Sequence, residues 1–352
     1  MPAAGGLGPP GCRPPGSASR ADNRHDRCVT DDGYLLDNAQ AEAGARFGAL
    51  AELFDPWTHR HLLATGLRAG WHCWEVGAGS PGVPAWLAKR VGPGGRVVAT
   101  DIDTSWLTTT GRYEVLRHDV AADEPPGTFD LVHARLLLTH VPQRDAALAA
   151  LIHAVRPGGW LVIEDADPAL QPLLCPDEHG PAEVLGNRLR GAFRTLLADR
   201  GADLEFGRTL PRRLRAAGLI DIAADAYFPM TGPACAVLER ATVLQIRDRL
   251  LAANLATEQE IAEHLANVAQ RPMDLATAPL ITAWGRRPPT LRRPGSWRRG
   301  SIATVRIAAR QVHRGAHRAV PDHAPLRAAV TIPGSPCGRR HARARRGVPS
   351  RA

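Results

Sequence analysis

The sequence predicts an α/β fold in which a mostly parallel sheet is covered by helices on both faces. Three observations predict it. Strand-length apolar segments alternate with segments of helical periodicity between Trp71 and Glu164, the pattern of a sheet built from strand–helix–strand units. A glycine-rich turn, Gly77-Ala78-Gly79-Ser80-Pro81-Gly82, joins the first of these strands to a helix. Two breakers, Gly92-Pro93-Gly94-Gly95 and Arg156-Pro157-Gly158-Gly159, close helices just before new strands begin. Right-handed crossovers then bring the C-terminal ends of the parallel strands to one edge.

Each element follows from local pattern. Phe47, Leu50, Ala51 and Phe54 fall at i, i+3, i+4 and i+7, one face of a helix. Pro56 suits the first turn of a second short helix, closed by Gly66 and Gly70. Trp71 to Val76 reads as a buried strand, Val83 to Val91 as a helix, and Arg96 to Asp101 as the next strand. A short helix is expected from Thr104 to Thr109, with Asp103 as its N-cap. Strands follow at Tyr113 to His118 and Phe129 to Ala134. Pro142 opens a helix with the stripe Leu148, Leu151, Ile152 and Val155, and Trp160 to Glu164 is the fifth strand. Beyond it, helices are expected at 181–200, 209–217, 235–253 and 257–270, with strands at 219–228 and 279–284, seven strands in all. Thr257-x-x-Glu260 is a capping box, in which hydroxyl and carboxylate satisfy orphan helix N–H groups reciprocally.

The chain has 352 residues and a formal charge of +9, but the charge is unevenly placed. From Gly285 onward there are 17 Arg, no Lys and a single acid, Asp322, so this stretch carries +16 and the other 284 residues carry −7. Residues 1–30 hold five Pro and five Gly without apolar periodicity. The organisation expected is a disordered segment over 1–30, one α/β domain over 31–288 and an Arg/Pro-rich disordered tail over 289–352. The apolar runs are too short for a transmembrane helix, and no basic start with an apolar run marks a secretory leader. Six scattered cysteines, with no CxxC or Cys/His spacing, argue against a zinc site or disulfide framework and fit a reducing cytoplasm.

The chemistry concentrates at Trp74-Glu75-Val76-Gly77-Ala78-Gly79-Ser80-Pro81-Gly82. A strand that ends in an acid and enters a glycine turn ahead of a helix brings backbone N–H groups close to a ligand, because glycine has no Cβ to block the approach. Gly77, Gly79 and Gly82 satisfy the GxGxxG fingerprint of dinucleotide sites, with Asp101 downstream. The glycines alone therefore leave a nicotinamide cofactor open.

Glu75, two residues before the first glycine, makes the pattern hhEhGxGxxG. This resembles the first motif of class I S-adenosylmethionine (SAM) dependent methyltransferases. Val97-Val98-Ala99-Thr100-Asp101, Arg117-His118-Asp119-Val120, the segment FDLVHARLLLTHV and the segment LIHAVRPGGWLVIED resemble the family's later motifs, in order, between Asp31 and Pro288. The resemblance implies a Rossmann-like doubly wound sheet of seven strands whose last strand is antiparallel. It implies SAM as cofactor, with Glu75 toward the methionine end, Gly77, Gly79 and Gly82 in the turn, Asp101 on the ribose hydroxyls, and Asp119 with Val120 at the adenine. Pro81 departs from the family's usual glycine. It falls near the first helical turn, where proline is tolerated.

Methyl transfer is an in-line displacement whose leaving group needs no proton, so alignment and exclusion of water suffice for much of the rate. With no metal-ligand cluster in the sequence, a metal-independent reaction is expected. Candidate bases for a protic acceptor are His133, His140 and Asp165, with Glu164 beside the last. The helical N-terminal extension and a helical insertion over residues 229–278 suit a lid above the cofactor, a domain prop or a dimer contact being the plainer reading of the insertion. An acidic body without a basic groove, and without the Asp/Asn-Pro-Pro-Tyr motif of base-modifying enzymes, favours a small organic acceptor over nucleic acid. Three further readings stay open at this point. They are a nucleic-acid methyltransferase tethered by the Arg tail, a SAM-binding protein without catalysis, and an NAD(P)-dependent oxidoreductase. The oligomeric state is not written in the sequence.

Overall fold

A computed structural model describes residues 34–108, 111–270 and 272–290. The segment 1–30 and most of the tail beginning at residue 289 lie outside the described residues. Seven strands form one sheet in the order β3-β2-β1-β4-β5-β7-β6. They are β1 His72–Val76, β2 Arg96–Asp101, β3 Glu114–Arg117, β4 Phe129–Arg135, β5 Val155–Ala166, β6 Ile220–Tyr227 and β7 Leu280–Arg286. The first five run parallel, and β7 lies antiparallel between β5 and β6. This is the Rossmann-like arrangement expected.

The period-2 pattern of the strands sorts their side chains onto two faces. On one face Trp74, Val76, Val132, Ala134, Leu161 and Ile163 pack with Leu148 and Leu151 of α3 (Arg144–Ala154) and with Phe206, Leu210 and Leu214 of α5 (Phe206–Ala216). On the other, Cys73, Val97, Ala99, Leu131 and Val162 pack beneath Leu62 of α1 (Ala43–Ala64) and Val83, Leu87 and Val91 of α2 (Gly82–Val91). A third cluster joins α4 (Pro181–Asp199), α6 (Pro233–Ala252) and α7 (Glu258–Gln270) to Leu35 and Leu36 of the segment before α1. The α6–α7 pair fills the connection between β6 and β7. The capping box holds, with the Thr257 N–H and hydroxyl donating to Glu260 at 2.8 and 2.9 Å.

Three local expectations are corrected. The two short N-terminal helices are one, α1, with Pro56 inside it. Proline removes one helical hydrogen bond at a cost of about 3 kcal/mol, but Pro56 faces solvent while Phe54, Thr58, His61 and Leu62 on either side of it are buried, and that packing carries the helix through. No helix forms at 104–108. Asp103 instead accepts the Ser105 N–H at 2.9 Å, capping a turn that this local hydrogen bond favours over a helix. Val155 does not extend the stripe of α3; it begins β5 opposite Phe129.

Candidate active site

The site is built where β1 and β2 end. Gly77 and Gly79 both have left-handed backbone, with φ of +62° and +59°, which glycine adopts without the strain of a Cβ. The space beside them is also taken: a Cβ on Gly77 would lie 2.8 Å from Leu137, and one on Gly79 2.8 Å from the Phe47 ring. Pro81 sits in helical conformation as the N-cap of α2, so its missing N–H breaks no helical bond. Asp101, at the end of β2, faces this turn. One of its oxygens accepts the Gly79 N–H at 2.8 Å and the other the Asp103 N–H at 3.0 Å. Burial pushes its carboxyl upward against the pull of these two donors.

Asp119 and Val120 follow β3. One Asp119 oxygen accepts the Ala121 N–H at 2.9 Å. The Val120 N–H has no acceptor among the described residues. A shallow cavity of about 510 Å³ opens between the loop after β2 and the segment before α1, lined by Asn38, Ala39, Asp103, Ser105 and Trp106. The Trp106 indole N–H donates to the Asn38 carbonyl at 2.6 Å, which ties the segment before α1 across the end of β2. Another cavity, of about 300 Å³, lies between Thr231–Pro233 and the 268–275 region, away from the glycine turn.

Glu75 lies below the turn. It is 3% exposed, and its carboxylate meets His133 Nδ1 at 2.6 Å. The pair is dictated by register, because Glu75 and His133 are partners across β1 and β4 and so share a face. His133 Nε2 stands 3.5 Å from Glu164, an ion-pair contact longer than a good hydrogen bond. Burial alone would lower the His133 pKa, but Glu75 and Glu164 outweigh it and raise it to about 9. Glu164 is held well below the usual carboxylate range: desolvation opposes this, and His133 and His61 prevail. The Thr58 hydroxyl donates to one Glu164 oxygen and the Thr282 hydroxyl to the other, the latter at 2.9 Å. His61 extends the chain to Asp225 at 2.9 Å. Thus β1, β4, β5, β6, β7 and α1 are joined by one polar network, buried up to its outer end at Asp225.

The structure places the three candidate bases differently. His133 is fully enclosed within that network. Asp165, also buried, accepts the Thr139 N–H at 3.0 Å and its hydroxyl at 2.7 Å. It therefore braces the 3-10 turn, Leu138–His140, that follows β4. Burial raises its pKa to about 6 despite these donors. His140 retains partial exposure, and its ring meets Tyr34 edge-on at 5.3 Å. Burial, with Arg46 and Arg144 nearby, lowers its pKa to about 4, so its imidazole is neutral at neutral pH. Sequence reasoning passed over Thr58, His61 and Arg46. Their signal was present: Thr58 and His61 are three apart on α1, but polar residues at core spacing do not announce a partner.

A methyltransferase-domain family model matches residues 30–223. The chain belongs to this family, and its sheet order is that of the class I SAM-dependent methyltransferase fold, a class whose cofactor is SAM. Methyltransferase str3 of Strobilurus tenacellus is 36% identical over 96 residues, 26% of this chain and 34% of that protein. A ubiquinone/menaquinone biosynthesis C-methyltransferase of Chromobacterium violaceum is 33% identical over 127 residues, 33% of this chain and 52% of that protein. The chain thus spans about half or less of the curated relatives it matches. Among solved structures, phosphoethanolamine N-methyltransferase 2 of Haemonchus contortus aligns at 16% identity and a TM-score of 0.45, covering 74% of this chain and 61% of that one.

Proposed function

We propose that the protein transfers a methyl group from SAM to a small organic acceptor by in-line displacement without a metal. The observation that carries this reading is the meeting, at one sheet edge, of the Gly77–Gly79 turn, the Asp101 carboxylate and the paired Asp119 and Val120. Their donor and acceptor types fit the cofactor. Asp101 offers carboxylate oxygens to a ribose diol. The free Val120 N–H and the second Asp119 oxygen offer one donor and one acceptor to adenine. When bound, SAM would supply an electrophilic methyl on a sulfonium, whose release as a neutral thioether needs no proton.

The residues of the chain then orient, exclude water and, for a protic acceptor, take a proton. His140 is the base in this reading, since its imidazole is neutral at neutral pH and it stands on the 3-10 turn after β4, beyond the sheet edge. His133 and Asp165 act instead as fixed supports of β1 and of the 3-10 turn. The α6–α7 pair, joined to the segment before α1 through the Gln245 side chain on the Asp37 carbonyl at 2.9 Å, forms the cover over the acceptor side. The buried free thiols Cys73, Cys175 and Cys235 suit a reducing compartment such as the cytoplasm.

Transfer of a labelled methyl group from SAM into a small-molecule extract, in the presence of a chelator, tests the reading. A labelled small-molecule product is expected. Label found only in added RNA or DNA, or activity lost to the chelator and restored by metal, would overturn it.

A further inference from the structure

Gly77, Gly79 and Gly82 satisfy a fingerprint that dinucleotide sites share, and in such sites the pyrophosphate rests on free N–H groups at the start of the following helix. Here most of those donors are spent or missing. The Ala78 N–H donates to the Thr100 carbonyl at 3.0 Å, the Gly79 N–H to Asp101 at 2.8 Å and the Ser80 N–H to the Ala78 carbonyl. Pro81 and Pro84 have no N–H to offer. The Gly82 and Val83 N–H groups, in the first turn of α2, are left without an acceptor among the described residues.

An acid already stands at that place. The Asp55 Oδ2 atom lies 3.1 Å from where a Cβ on Gly82 would be, so the room left by the third glycine goes to this carboxylate. Its other oxygen pairs with Arg135 at 2.9 Å, and Arg135 also donates to the Thr58 hydroxyl at 2.9 Å. Oδ2 has no hydrogen-bond partner among the described residues. A carboxylate beside the start of a helix is favoured by the helix dipole, and a phosphate seeks the same position for the same reason. The run of α1 delivers the acid there. Its Phe47 ring covers Gly79, and Asp55 follows about two turns further along, against Gly82.

We infer that Asp55 is a specificity-determining residue that keeps nucleotides bearing a 5′-phosphate or pyrophosphate out of the glycine turn. The inference rests on the methyltransferase reading above, in which the adenosine part of the cofactor is held by Asp101, Asp119 and Val120. A pyrophosphate on the 5′ carbon of that adenosine would be carried to the first residues of α2, where it would meet the Asp55 carboxylate. Asp55 is only 18% exposed, and partly buried charges are screened less than exposed ones. SAM carries no phosphate and its sulfonium is cationic, so the same acid does not oppose it. Pro81 and Pro84 act in the same sense, by removing donors that a phosphate needs.

Calorimetry on the full chain and on Asp55→Asn, with S-adenosylhomocysteine, adenosine and ADP, tests the inference. Wild type is expected to bind S-adenosylhomocysteine and adenosine, and to bind ADP about tenfold more weakly than adenosine. Asp55→Asn keeps the shape of the side chain and removes its charge, so ADP should gain about tenfold while adenosine binds as before. Asp55→Glu, which keeps the charge, is expected to keep the exclusion. Should Asp55→Asn fail to fold, Asp55→Ser, small and neutral, is expected to show the same gain for ADP. An ADP-to-adenosine ratio that is the same in the neutral variants as in wild type would overturn the inference. So would equal binding of ADP and adenosine by wild type, or a gain for ADP in Asp55→Glu as large as in Asp55→Asn. S-adenosylhomocysteine bound by wild type with an unchanged ratio in the variants defeats this inference alone. Failure of wild type to bind S-adenosylhomocysteine defeats the methyltransferase reading, and this inference with it.

Discussion

The Glu75 carboxylate and the His133 imidazole meet at 2.6 Å in the interior of the sheet, directly beneath the glycine turn. Because His133 is raised from 6.5 to about 9 in the folded protein, its stabilising contribution is fully present below its unfolded value. It is lost as pH rises through about 9. His61, raised in the same direction, adds to this limb. Melting temperature is therefore expected to fall between pH 6.5 and 9, with a shallower fall in His133→Asn. Removing one member of such a buried pair costs roughly 3–5 kcal/mol, and denaturant unfolding of Glu75→Gln and His133→Asn measures it. A flat stability profile across this range in the wild type would contradict the charged pair.

Gly79 is expected to tolerate no side chain. Alanine there meets both a φ of +59° and the Phe47 ring, and the left-handed backbone alone costs about 1–2 kcal/mol. Gly79→Ala should lose cofactor affinity. Pairing it with Phe47→Ala should restore only part, since the second change relieves contact and not backbone strain. Full recovery in the double variant would show that the φ is unimportant.

Asp165 and Thr139 form one unit, so their losses should not add. Asp165→Ala and Thr139→Val are each expected to destabilise by roughly 1–3 kcal/mol, and the double variant by little more than the larger of the two. Additive losses would mean that the two hydrogen bonds holding the 3-10 turn are not shared.

Truncation after Pro288 is expected to leave melting temperature and SAM affinity unchanged. The apolar strand β7 ends at Arg286, and the 17 Arg from Gly285 onward face a single acid, a composition that opposes compaction. Any salt-sensitive polyanion binding by the full chain should vanish with the tail. Failure of the truncated protein to fold would move the domain boundary.

Much of the fold was legible because its signals are local. The alternation from Trp71 to Glu164 located the first five strands, although Arg156-Pro157-Gly158-Gly159, read as a breaker ahead of the fifth, lies inside β5, and the Thr257 capping box located the start of α7. Pro56 misled, because its cost is local while the packing of Phe54, Thr58 and Leu62 that overrides it is tertiary. Asp103 misled because the same side chain caps a turn or a helix. In the site, Asp101 and the glycines could be named from spacing. The partner of Glu75 could not, because it depends on β1 lying beside β4, with β2 and β3 on the far side, a fact of topology. Asp55 was invisible for another reason: a carboxylate set against the start of α2 is recognised only once every neighbour is in place.

The central claim is that the Gly77–Gly79 turn and Asp101 form a SAM site, and one measurement tests it most directly. Calorimetric titration of the wild type and of Asp101→Ala with S-adenosylhomocysteine, and separately with NADH, reads the cofactor and its anchor together. The account predicts that S-adenosylhomocysteine binds, that NADH does not, and that Asp101→Ala weakens S-adenosylhomocysteine by roughly 2–3 kcal/mol, the scale of charge-assisted hydrogen bonds lost from a buried site. Binding of NADH in place of S-adenosylhomocysteine, or wild-type affinity in Asp101→Ala, would contradict it.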